Sequence, residues 1–125
     1  MNNVTNLPAR NILRFNYGKK PVLSSSIKYI ESFAGNYSMV RLHDHGYICS
    51  SFTLKHYREK LEPQGEFFLV RKGLLINLNF INQIIDQEGK KWAVLTSGES
   101  FQLSRRCGQK LLSFLKDKED LKMVC

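Results

Sequence analysis

The sequence predicts a mainly β domain with one short internal helix and one C-terminal helix. Three observations carry this. Short apolar runs alternate with turn residues at close spacing from Asn11 to Leu103, the pattern of many short strands building small sheets. Only two stretches place their apolar residues at helical spacing. With 125 residues, the chain has the size of one domain, about 100 to 150 residues.

The elements follow in order. Asn11 to Phe15 reads as a first strand, with Asn16 to Pro21 as its turn, and Ile27 to Phe33 as a second strand closed by Ala34-Gly35-Asn36. Tyr37 to His43, the turn Asp44-His45-Gly46 and Tyr47 to Ser50 form a hairpin, since Asp and Gly adopt the backbone angles such a turn needs. Leu54, Tyr57 and Leu61 then recur on one helical face, with Thr53 as N-cap and Pro63 as a stop. The apolar run Phe67 to Val70 and Leu74 to Ile85 is interrupted by Arg71, Lys72, Gly73 and Asn residues, so it reads as paired strands. Trp92 to Leu95, the turn Ser97-Gly98 and Phe101 to Leu103 give another hairpin. Ser104 caps a closing helix whose Cys107, Leu111, Phe114 and Leu115 form an apolar stripe opposite Arg106, Lys110 and Ser113. Residues 1–10 read as a flexible arm, 11–116 as the domain and 117–125 as a charged tail.

Composition narrows the function classes. Apolar residues at 42% and charged residues at 24% are those of a folded globular chain. Nineteen Lys and Arg against 11 Asp and Glu leave a net charge of +8, which favours a polyanionic partner through phosphate neutralisation and counterion release. Charge alone does not separate DNA, RNA and acidic lipid. Three cysteines without a CxxC pair argue against both a disulfide framework and a zinc site, and for a reducing, cytoplasmic setting. Nothing approaches the roughly 20 apolar residues of a membrane helix. The triplets Asn3 to Thr5 and Asn36 to Ser38 would matter as glycosylation acceptors only on an exported chain.

Five segments together carry a resemblance: YIES at Tyr29 to Ser32, GNY at Gly35 to Tyr37, FTLKHYREKL at Phe52 to Leu61, FFLVRKGLLINLNFI at Phe67 to Ile81, and LSRR at Leu103 to Arg106. In order and spacing the chain resembles the LytTR DNA-binding family from about Asn11 to Leu115. It departs from the family after Phe67-Phe68, where an Arg, a His-Arg-Ser triplet and an aromatic are replaced by Leu69, Arg71, Lys72, Gly73 and Leu74, while Asn77 is retained.

The resemblance implies an elongated stack of small antiparallel sheets that presents loops to successive DNA grooves. Carried over by position, the DNA-binding residues are Asn36 and Tyr37, Arg71 and Lys72, and Arg105 and Arg106. Their chemistry fits. Arg105 and Arg106 can chelate the two guanine acceptors in the major groove. Lys72 is a point charge suited to phosphate, and Asn36 and Tyr37 offer an amide and a hydroxyl for phosphate or adenine. The family also implies two protomers, a homodimer on a direct or imperfect promoter repeat, in a bacterial transcriptional regulator. Members often follow a phosphorylation-receiver domain as the output domain of a response regulator. Here the choice is between a stand-alone regulator and a fragment of a longer one, and Met1 with a short polar arm favours the first, controlled by a separate partner or by its expression level.

Other chemistry is less well supported. His43, Asp44 and His45 have ligand side chains, but a polar hairpin turn explains them more simply than a metal does. Cys107 beside Arg105 and Arg106 is a candidate nucleophile, yet its place on the apolar stripe favours packing. No phosphate-binding Gly loop, nucleophile elbow or framed carboxylate pair is present, so neither enzyme activity nor a cofactor is expected. The competing reading is a basic β module for protein interaction that has lost specific DNA reading through the altered Arg71 to Leu74 segment. RNA binding is weaker again, because no aromatic platform for single strands is identifiable.

Overall fold

A computed structural model describes residues 12–15, 20–117 and 123–124. The arm, Asn11, the Asn16–Lys19 part of the first turn and most of the charged tail lie outside the described residues. Eleven strands and two helices are described: β1 (Ile12–Phe15), β2 (Lys20–Leu23), β3 (Ile27–Phe33), β4 (Tyr37–Leu42), β5 (Tyr47–Ser50), α1 (Leu54–Leu61), β6 (Phe67–Arg71), β7 (Leu74–Asn77), β8 (Ile81–Gln87), β9 (Lys90–Leu95), β10 (Ser100–Gln102), α2 (Arg105–Asp117) and β11 (Met123–Val124). They build three small sheets: β1-β2, β5-β4-β3-β7-β6 and β10-β9-β8-β11. Pairing is antiparallel throughout, except that β11 runs parallel to β8.

The five-stranded sheet is the central layer. One face packs Ile27, Ile30, Val40, Phe67 and Leu75 against Leu13 and Phe15 of β1 and Leu54, Tyr57 and Leu61 of α1. Its other face packs Tyr29, Val70, Leu74 and Ile76 against Ile84, Ala93 and Leu95 of the four-stranded sheet and Leu111 of α2. Because both faces are covered, Leu74, Leu75 and Ile76 are all fully buried. A strand buried on both sides reads as a continuous apolar run without alternation.

Both predicted caps form. Thr53 Oγ1 accepts from the His56 amide at 3.4 Å, and Ser104 Oγ accepts from the Cys107 amide at 3.1 Å. Helix α1 stops at Leu61, and Pro63 lies in the 3-10 turn Glu62–Gln64 that Gly65 ends at φ +81°.

Two predicted elements need correction. Lys20 and Pro21 belong to strand β2, not to a turn, with Pro21 opposite Arg14. Proline is tolerated because both strands of this two-stranded ribbon are edges, so its missing N–H costs no interior ladder bond. The run Leu74 to Ile85 is split between two sheets by a 3-10 turn at Leu78–Phe80. Asn77, fully buried, makes that break: its Nδ2 donates to Ile27 O and its Oδ1 accepts from the Asn79 amide, both at 3.0 Å. Cys107 is half-buried and lines an apolar cleft with Phe67, Phe68 and Phe114.

Candidate nucleic-acid interface

The six predicted residues lie in or flank three loops. Asn36 and Tyr37 stand where the β3–β4 turn enters β4, and Arg71 and Lys72 where β6 enters the β6–β7 turn. Arg105 and Arg106 are not in a loop, as the sequence reading had them, but in the first turn of α2 just after the β10–α2 connection. Strand register and backbone hydrogen bonds bring these loops to one end of the central sheet. Strand β3 pairs with both β4 and β7, so the β3–β4 turn and the β6–β7 turn are neighbours. Ser32 N donates to Gly73 O at 2.8 Å and ties them together. Gly73 holds φ +84°, a conformation that L side chains rarely adopt, and this lets the turn close tightly after Lys72. Ser104 N in turn donates to Val70 O at 2.9 Å, which fixes the start of α2 beside the end of β6. Two backbone hydrogen bonds therefore link all three loops.

Around these bonds, the side chains are accessible. Asn36, Tyr37, Lys72, Arg105 and Arg106 are exposed. Arg71 is half-buried and already engaged: its Nη2 lies 3.8 Å from Glu31 Oε2, and its guanidinium sits 5.7 Å from the centre of the Phe101 ring. Arg105, Arg106 and Lys72 form no salt bridge among the described residues. The end of the sheet therefore presents three uncompensated cations and one partly compensated guanidinium.

Sequence reasoning passed over Phe33. It stands opposite Tyr37 at the tip of the β3–β4 hairpin, and the two rings are 48% and 46% exposed. As the last apolar residue of an apolar strand it reads as core, but neither covering layer extends that far.

The other flagged clusters lie elsewhere or are already used. Asp44 Oδ1 accepts from the Gly46 amide at 2.9 Å, which holds its carboxyl below the usual value, and the His43 amide donates to Ser26 O. His43, Asp44 and His45 are all exposed in the β4–β5 turn, and no group of three metal-ligating residues is assembled among the described residues. No helix among them is long and apolar enough to cross a membrane.

The family model of the LytTr DNA-binding domain matches residues 18–116. The chain belongs to the LytTr DNA-binding domain family. The general role that membership supports is DNA binding in the control of transcription, and the family is not one of enzymes. A solved LytTr DNA-binding domain from Bacillus cereus, of a protein described as a methyl-accepting/DNA response regulator, shares the fold with a TM-score of 0.69 at 20% identity. That similarity covers 83% of this chain and 94% of the other. None of the curated proteins matches the sequence. The mainly β architecture of small sheets with two helices is thus the LytTr architecture, as the sequence resemblance implied.

Proposed function

We propose that this LytTr domain reads double-stranded DNA in a sequence-specific manner through its three clustered loops, as a cytoplasmic transcriptional regulator. The observation that carries the reading is the convergence of Arg71, Lys72, Arg105 and Arg106 beside Asn36 and Tyr37, held by the Ser32–Gly73 and Ser104–Val70 hydrogen bonds. The cations attract the duplex and release its counterions. The first turn of α2, which carries Arg105 and Arg106, offers a planar guanidinium fork able to chelate guanine O6 and N7, worth roughly 1–3 kcal/mol of discrimination per good contact. Lys72 sets affinity through phosphate, and Asn36 and Tyr37 fix the register of the hairpin on the backbone. Two protomers on a direct or imperfect repeat would double the footprint, and a separate partner would supply control.

Selection from a random duplex pool tests this, with the wild type beside Arg105→Ala/Arg106→Ala. The expected result is an enriched repeated motif whose selection disappears in a double variant that still folds. Weak binding that is equally unselective for both proteins would overturn the reading.

A further inference from the structure

Arg105 and Arg106 are neighbours in sequence, but a helix turns about 100° between them, and their surroundings differ. Arg105 lines a cleft of about 260 Å³ together with Gly89, Lys90, Lys91, Ser104 and Gln109. Arg106 is outside it. Two features of the fold build this cleft. Strands β8 and β9 turn tightly through Glu88 and Gly89, at φ +54° and +80°, which sets Lys90 opposite Gln87 at the head of β9. Leu103 N donates to Lys91 O at 2.8 Å and pins the entry to α2 against that strand.

The cleft therefore gathers cations from two separate elements. Lys90 is exposed and forms no salt bridge among the described residues. Lys91 Nζ is 3.6 Å from Asp86 Oδ2 and is partly compensated. Gln109 adds an amide donor, and no carboxylate is among the lining residues. Ser104, on the cleft wall, is the residue bonded to Val70 beside Arg71, so the cleft is continuous with the three-loop face.

Resting on the DNA reading above, we infer that this cleft seats a backbone phosphate of the duplex, held by Lys90 and Arg105 with Gln109 in support. Arg105 and Arg106 then have different tasks. Arg105 neutralises phosphate and extends the footprint to the β8–β9 hairpin, and Arg106 is left to read the base edge. A phosphate contact positions the protein without carrying sequence information, whereas a base contact does the reverse.

The test measures affinity against salt concentration for the selected duplex and a scrambled one. It compares the wild type with Lys90→Ala, Lys90→Arg, Arg105→Ala and Arg106→Ala, each checked for an unchanged melting temperature. Lys90→Ala and Arg105→Ala should each weaken binding to both duplexes by the same factor, about three- to tenfold, and reduce the salt slope by about one. Lys90→Arg should retain the wild-type slope. Arg106→Ala should weaken only the selected duplex. If the wild type prefers the selected duplex but Lys90→Ala binds like the wild type, or loses preference in place of overall affinity, the phosphate seat is wrong and the DNA reading stands. If the wild type shows no preference, both fall.

Discussion

Lys28 Nζ donates to Glu99 Oε2 at 2.7 Å and to Ser97 Oγ at 3.1 Å, clipping β3 of the central sheet to the β9–β10 turn of the four-stranded sheet. The pair is asymmetric. The Lys28 side chain is 4% exposed and that of Glu99 33%. Removing the acid strands a buried ammonium, whereas removing the base leaves a carboxylate that water reaches. Glu99→Ala should therefore destabilise the domain by about 3 kcal/mol, and Lys28→Met by about 1 kcal/mol or less. Urea denaturation of both variants checks this, and equal losses would contradict the asymmetry.

The same clip sets an acid limit on stability. Burial alone would raise the Glu99 carboxyl, but hydrogen bonds from Lys28 and Ser97 outweigh it and lower its pKa from 4.5 to about 2. A carboxylate with a depressed folded-state pKa stabilises fully above its unfolded value. That contribution is lost as pH falls from about 4.5 through about 2. With Glu99 one-third exposed, the loss is on the order of 2 kcal/mol. The wild type should lose stability over this window more steeply than Glu99→Ala, as thermal melts between pH 5 and pH 2 would show. Parallel curves would remove Glu99 as the source.

Asn77 is the hinge between the two larger sheets, and its role is polar. Its amide satisfies Ile27 O and the Asn79 amide from a fully buried site. Leucine has similar bulk but neither donates nor accepts, so it would leave both backbone groups unpaired. Asn77→Leu should cost about 2–3 kcal/mol, no less than Asn77→Ala. It should also speed hydrogen exchange at the Asn79 amide. A nearly neutral Asn77→Leu would mean that packing, not hydrogen bonding, is what the position requires.

What was legible in the sequence was local. Thr53 and Ser104 announce their helices because a cap acts on the next three residues, and Asp44-His45-Gly46 announces its hairpin for the same reason. Strand β2 was hidden because Pro21 reads as a turn unless the strand is known to be an edge. The break at Asn77 depends on a carbonyl 50 residues earlier in the chain. The six candidate interface residues follow from position within a family pattern, and they lie in or beside the turns and the α2 start that meet at one end of the sheet. Lys90 carried no such signal. It lines the same cleft as Arg105, beside the Leu103 amide bonded to Lys91 O, a long-range contact that no short stretch of sequence encodes.

Glu31 lies among the cations of the three-loop face, 3.8 Å from Arg71, with both side chains about two-fifths exposed. An exposed pair of this kind stabilises a fold by roughly 0–1 kcal/mol, so its effect on DNA should exceed its effect on folding. Its carboxylate repels approaching phosphates and competes with them for the Arg71 guanidinium. Glu31→Gln removes that charge and keeps the shape of the side chain. The expected result is duplex affinity raised by about two- to fivefold at low salt, with the gain shrinking as salt screens the charges. The melting temperature should hardly change. Filter binding at two salt concentrations decides the point. Weaker binding by Glu31→Gln would mean that the acid holds Arg71 in its binding geometry, so that the pair acts on DNA as one unit.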